Sequence, residues 1–223
     1  MAILNLIPLL QFFDEGIDGS QGHATACNAM MGEDLGIGLL KHYFENSGKK
    51  VIRVEVSQPC TQGTQRGVRL DGWLIVNFSD GRQIDYQVEI KNWSSHSIGG
   101  RRLRADASDE EKRLHRIERW ENQWDEDAGQ LREKTAQKVV VQMRRINSSS
   151  PVLPLICFWD PMHPKGFEDA LFEVETNNEI FPKLWVFSMS TYIRSLRLNG
   201  IESIGIDMQN TENRLNWMNK FLV

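Results

Sequence analysis

Cysteine is scarce, with three in 223 residues. Cys27, Cys60 and Cys157 stand far apart, with no CxxC or Cys/His spacing, which excludes a zinc cluster of ordinary pattern and a disulfide scaffold. Packed thiols in a reducing compartment are the expectation. His23, His42, His96, His115 and His163 form no HExxH or H-x-H motif, so a histidine-based metal site is not expected either. A Walker loop, a GxGxxG turn and a GxSxG elbow are all missing, which disfavours a nucleotide hydrolase, a dinucleotide enzyme and a serine hydrolase. Basic charge is not in excess: 26 Lys plus Arg face 30 Asp plus Glu, for a net charge of -4. No global field draws nucleic acid to such a surface, and any binding must use a local patch or metal ions. No apolar run is long enough to span a membrane. The first 13 residues, MAILNLIPLLQFF, lack the basic flank and cleavage site of a signal peptide and end at Asp14-Glu15. They are expected to pack on the core as a helix or strand, and the protein to reside in the cytoplasm without a membrane partner.

What is present is ordinary globular composition, 40% hydrophobic and 25% charged. One domain over residues 1–223 is expected, with a core at about 24–160, C-terminal α/β additions and a charged helical insertion at about 94–125. A helix is predicted over 24–46, closed by Gly48, followed by a strand at 51–56 and a loop at 58–67. VRLDGWLIVNF and RQIDYQVEIKNW then flank Asp80-Gly81, a strong hairpin signal. In the insertion, Ser108 with Glu111 makes a capping box, and Leu114, Ile117, Trp120 and Trp124 recur at helical spacing. A longer helix is predicted at 127–146, a buried strand at 152–159, a short helix near 166–172 and a strand at 184–188. A helix from 191 to 198, a strand-like IESIGI and a terminal helix at 211–222 complete the chain. The order is α-β-β-β-α-β with additions, which implies an α/β fold whose mixed central sheet is flanked by helices.

On the strand over 84–92, alternation points Asp85, Gln87, Glu89 and Lys91 one way and Tyr86, Val88 and Ile90 the other. Asp71, at the start of the preceding hairpin strand, falls at the same end as Glu89 and Lys91, so the three can converge. Glu33 precedes Ile37, Leu40 and Phe44 by 4, 7 and 11 residues, which predicts an inward-facing carboxylate on the apolar stripe of the first long helix. Such a group is costly unless paired or close to a cation. Gly32, Gly36 and Gly38 each weaken that helix by about 1 kcal/mol relative to Ala, so a close approach or packing constraint is expected to compensate. Three carboxylates and a lysine on neighbouring elements suit a hard divalent ion, Mg²⁺ or Mn²⁺, rather than zinc. The plain alternative is that Asp71 caps a strand while Glu89 and Lys91 form a surface ladder.

Glu33 on the first helix, Asp71 on the second strand and Glu89-Ile90-Lys91 on the third resemble the signature of the PD-(D/E)XK nuclease superfamily, over roughly residues 24–160. The proline that names the motif is replaced by Leu70, at a position that touches no chemistry. The resemblance implies a restriction-endonuclease-like α-β-β-β-α-β core. It also implies an Mg²⁺- or Mn²⁺-dependent deoxyribonuclease in which Asp71, Glu89, the Ile90 carbonyl and the auxiliary Glu33 hold metal, and Lys91 orients the attacking water. Beside two carboxylates Lys91 should stay charged, which favours water positioning and phosphate contact over free general-base work. Alternative readings are a catalytically silent module of the same fold that binds nucleic acid or a protein partner, and an unrelated α/β metabolic enzyme.

DNA is the expected partner. Gln87 shares the active face and is a candidate phosphate or water contact, or else a solvated strand residue. Arg101, Arg102 and Arg104 form the one local basic cluster of the insertion, and Lys134 and Lys138 lie one turn apart on the long helix. Trp73, Trp159 and Trp185 sit in strand patterns where core packing is expected. The terminal helix, with Trp217, Met218, Phe221 and Leu222, is a candidate interface for a homodimer or a protein partner.

Overall fold

The computed structural model of the chain describes residues 1–11, 21–46, 48, 51–57, 71–91, 107–108, 110–111, 114, 124–125, 130–131, 151–159, 169–176 and 182–221. The first elements are a strand, Ala2–Asn5 (β1), and a short helix, Leu6–Leu10 (α1), whose Leu6, Leu9 and Leu10 are buried. The apolar opening segment thus packs on the core as expected.

A helix over Gln21–Asn46 (α2) follows, then strands Val51–Ser57 (β2), Gly72–Phe78 (β3) and Gln83–Lys91 (β4). Next come two-residue strands Trp124–Asp125 (β5) and Gln130–Leu131 (β6), then Val152–Phe158 (β7), Leu171–Glu175 (β8) and Lys183–Ser188 (β9). Helix Met189–Leu198 (α3), strand Ser203–Ile206 (β10) and helix Gln209–Phe221 (α4) complete the described elements. The central sheet has six strands in the order β2-β3-β4-β7-β9-β8. β2, β3 and β4 form an antiparallel meander, β7 joins β4 in parallel and β9 joins β7 in parallel, while β8 returns antiparallel to β9. This is an α/β fold with a mixed central sheet flanked by helices.

The hairpin turn falls where Asp80-Gly81 placed it. Gly81 has a φ of 84 and its amide donates to the Phe78 carbonyl at 3.0 Å, while Phe78 N–H donates to Arg82 at 2.8 Å. Because β4 and β7 run parallel, a long crossover must join them, and residues 92–150 supply it. Pro154 is buried in β7 one residue before pairing with β9 begins, so its missing N–H interrupts no bond on that side.

The sheet is buried on both faces. Tyr86, Val88 and Ile90 of β4, with Leu155, Cys157, Trp159 and Phe187, pack under α2 and α3 in one continuous core. Phe44 meets Tyr86 at 5.1 Å between ring centroids, and Tyr43 meets Phe187 at 5.4 Å. Leu35, Leu39 and Leu40 are fully buried. Each such side chain stabilises the fold by about 1.5–3 kcal/mol relative to an exposed one. On the other face Ile156, Phe158, Leu184 and Val186 are buried as well.

The glycines of α2 explain themselves by contact. A Cβ on Gly36 would stand 2.9 Å from Ile90 Cδ1, so the bare backbone lets α2 approach β4. The tight approach expected from the glycine-rich run is therefore real. The helix is broken at Gly32, with φ 44 and ψ -130, a conformation open to glycine and strained for other residues. Beyond the break Leu35, Gly36, Leu39, Leu40, Tyr43 and Phe44 are buried and Ile37 packs against the core, so the expected stripe faces inward, with Glu33 half-buried at its start.

Other expectations are corrected. Leu171 and Phe172, read as the end of a short helix, begin strand β8, because their alternation continues with Val174 inward and Glu173 and Glu175 outward. Trp124 and Leu131, assigned to helices, lie in the β5–β6 pair instead. The capping box is present: Ser108 Oγ accepts from Glu111 N–H at 3.2 Å, and the Glu111 carboxylate accepts from Ser108 N–H at 2.7 Å. Apart from these points, the helices expected over 94–125 and 127–146 lie outside the described residues.

α4 docks on the broken part of α2. Asp34 accepts from Thr211 N–H at 2.7 Å and from Thr211 Oγ1 at 3.1 Å, capping the start of α4 from another element. Arg214 donates to the Met30 carbonyl at 2.6 Å, on the other side of the break. The outer side of α4 exposes Trp217 and Phe221, stacked at 6.4 Å. No helix among the described residues is long and apolar enough to cross a membrane.

Candidate active site

β3 and β4 pair with Gly72 opposite Val88. One step outward, that register sets Asp71 opposite Glu89, on the face that also carries Lys91. Cross-strand neighbours of like charge repel, so an arrangement of this kind needs a compensating positive charge or a proton. Lys91 provides part of the compensation: its ammonium donates to Glu89 Oε1 as a close ion pair. Asp71 is held differently, its Oδ2 accepting the Ile90 backbone N–H at 2.8 Å. Within a strand, a residue's N–H and C=O face the same neighbour, so the Ile90 carbonyl also faces the strand edge where Asp71 sits.

Glu89 is only 2% exposed. Burial, with the Asp71 charge adding to it, pushes its carboxyl up to about 7, against the opposing pull of Lys91. The lysine side chain is more open, at 19%. Gln87 is fully buried on the same face and Asp85 nearly so, which overturns the reading of Gln87 as a solvated strand residue. Gln83 donates to Asp85 at 2.9 Å. Behind the site, Cys157 is a free, fully buried thiol opposite Ile90, kept protonated by burial and by the nearby Asp71 charge. Cys27 is also a free thiol, half-buried.

Asp71, Glu89 and Lys91 are therefore brought together as the spacing implied. Glu33 is not assembled with them: among the described residues no three His, Cys, Asp or Glu side chains converge as a metal-holding group. Glu33 is half-buried, one residue after the break at Gly32. Arg101, Arg102, Arg104, Lys134 and Lys138 lie outside the described residues.

Sequence reasoning missed a second polar cluster, on the α2 face of the sheet. Tyr43 donates to Asp169 at 2.9 Å, and His42 Nδ1 lies 2.6 Å from the Tyr192 hydroxyl. These partners are 126 and 150 residues apart in sequence, so no local motif announces them.

No family model matches the chain, and neither a curated protein nor a solved structure does.

Proposed function

We propose that the protein is a divalent-metal-dependent nuclease that hydrolyses phosphodiester bonds in DNA, with Asp71, Glu89 and Lys91 as its catalytic residues. The observation that carries this reading is the placement of Asp71 opposite Glu89 with Lys91 on the same face. The antiparallel meander β2-β3-β4 extended in parallel by β7 supports it, since a restriction-endonuclease-like α-β-β-β-α-β order calls for this arrangement.

The donors fit a hard cation. Two carboxylates and the Ile90 carbonyl are oxygen ligands of the kind Mg²⁺ and Mn²⁺ prefer, and such ions commonly take one or two carboxylates and complete their shell with water and phosphate. The Glu89 carboxyl is raised by burial first and by the Asp71 charge after it, and a cation beside it would oppose both. A divalent ion, when bound, would supply charge neutralisation at the attacked phosphate and acidify a water molecule. Asp71 and Glu89 would hold it, with Asp71 fixed in place by the Ile90 N–H. Lys91 would exchange part of its contact with Glu89 for the phosphate and the incoming water. Glu33 enters this scheme only as an outer ligand reached through water.

The test is cleavage of supercoiled plasmid, linear duplex and single-stranded DNA with Mg²⁺, Mn²⁺ or EDTA, beside Glu89→Ala. Metal-dependent cutting that disappears in the variant is the expected result. Absence of cutting, together with absence of metal binding in a titration of the same proteins, would turn the assignment toward a silent binding module of the same fold.

A further inference from the structure

Asparagine recurs at every third position of α4, as Asn210, Asn213, Asn216 and Asn219. It is among the poorer helix formers, because its amide competes for nearby backbone groups, so repeating it weakens a helix unless a partner uses the amides. Asn210 is engaged within the chain, donating to Asp34 at 2.8 Å. Asn213, Asn216 and Asn219 are exposed, as is every residue from Leu215 to Phe221.

We propose that α4 is a recognition helix that lies in the major groove of duplex DNA and reads A·T pairs through Asn213, Asn216 and Asn219. This inference rests on the nuclease reading and adds to it the feature of the substrate that is recognised.

The spacing fits the task. A helix about 10–12 Å across enters a major groove about 12 Å wide. Entering at an angle, it reaches successive bases with side chains about three residues apart. The three exposed asparagines keep that interval.

The chemistry fits as well. A carboxamide holds an acceptor beside a donor, and asparagine pairs bidentately with N6 and N7 of adenine. Gln209 donates to Asn213 Oδ1 at 3.3 Å, a weak contact on the exposed surface that a base can replace. From Asn213 to Phe221 the charged residues are Arg214 and Lys220, with no acid among them, in a chain of net charge -4. This stretch therefore meets an anionic duplex without repulsion. Lys220, 4.3 Å from the centroid of the exposed Trp217 ring, is available to a phosphate.

Position is the third support. Ile37 packs on Gly72, the neighbour of Asp71, and Gly36 packs on Ile90, between Glu89 and Lys91. Asp34, less than one turn before Gly36 and Ile37, caps the start of α4. The recognition helix thus begins at the end of the sheet that carries the candidate active site.

The test is fluorescence anisotropy of the full chain, in EDTA and again in Ca²⁺, with three short labelled duplexes. One carries a run of A·T pairs with the adenines on one strand, one has G·C pairs in the run, and one has 7-deazaadenine there, which keeps base pairing and lacks N7. The A·T duplex is expected to bind at least about tenfold tighter than either of the others. Asn213→Ala, Asn216→Ala and Asn219→Ala combined should bring the three duplexes to one affinity, and alanine, a better helix former, keeps α4 formed. Equal affinities for the unmodified chain in both buffers, no binding of any duplex, or a preference retained by the combined variant would each overturn the proposal. So would a mass that doubles with concentration and halves again in Trp217→Ala while the duplexes bind alike, which would assign α4 to a second copy of the chain. Should the combined variant fail to fold, the three duplexes decide the matter with the unmodified chain. Binding is read apart from cleavage: the preference without any cutting would sink the nuclease reading, and metal-dependent cutting without the preference would sink this inference alone.

Discussion

The two faces of the central sheet carry two polar clusters that solve burial in opposite ways. Beneath α2, His42, Tyr43, Tyr192 and Asp169 hand hydrogen bonds from hydroxyl to imidazole and carboxylate, and one negative charge is shared with a donor. On the other face Asp71 and Glu89 confront each other, with Lys91 on Glu89 and the Ile90 N–H on Asp71. In the first cluster each hydroxyl has an acceptor or donor within hydrogen-bond distance. The second is under electrostatic load, which under the proposed function a divalent ion would relieve. A polar group that satisfies itself contributes to the fold, whereas one that does not points to a missing ligand.

The sharpest way to break this contrast is to remove the load. Glu89→Ala is expected to lower Mg²⁺-dependent DNA cleavage by about three orders of magnitude, since a metal held in place supplies several kcal/mol of barrier reduction. Folding, followed by circular dichroism, should be retained, because the variant deletes a repelling charge.

Next in size is a dependence of stability on pH. The Glu89 carboxyl stands at about 7 in the folded protein against an ordinary value of 4.5. The folded state therefore holds this proton more tightly than the unfolded chain. The stability it confers is complete below about 4.5 and is lost as the pH rises through about 7. Metal-free protein should be less stable at pH 8 than at pH 5, by an amount on the order of 2–3 kcal/mol from this group. Thermal melts in EDTA should show the loss, and Mg²⁺ at pH 8 should reverse it. Asp71→Asn should lower the Glu89 midpoint in an NMR titration and raise metal-free stability at pH 8, while still abolishing cleavage. A melt that is flat between the two pH values would show that the charges are not in conflict.

Smaller effects test the scaffold. Gly36→Ala puts a methyl against Ile90 and should cost about 1–3 kcal/mol of stability, read from denaturant midpoints. Tyr43→Phe removes the hydroxyl that orients Asp169 and should cost about 1 kcal/mol, with cleavage unchanged.

What could be read from sequence followed the range of the interactions. The hairpin and the convergence of Asp71 with Glu89 and Lys91 depend on alternation and one turn, both local, and the chain announces them with Asp80-Gly81. The glycines at 36 and 38 also spoke correctly of close packing, with Gly36 against Ile90 and Gly38 against Ile206. The break at Gly32 had no signal beyond the glycine itself, and periodicity alone placed Glu33 fully inward where the structure leaves it half-buried. Strand β8 was taken for helix because its pairing partner, β9, supplies the deciding hydrogen bonds. The Tyr43–Asp169 contact had no local signal at all.

One consequence concerns the order in which the protein can assemble as it is made. Strand β1 pairs with β10, residues about 200 positions apart, and Asp34 caps α4 across nearly as long a stretch. At synthesis rates of about 5–20 residues per second, β1 waits some 10–40 s for its partner strand. During that interval Leu4, Leu6 and Leu9 have no β10 or α3 to cover them, and the six-strand sheet can form first. Closure of β1 on β10 is then a late event, and slow translation is the condition under which this protein is most exposed to misassociation.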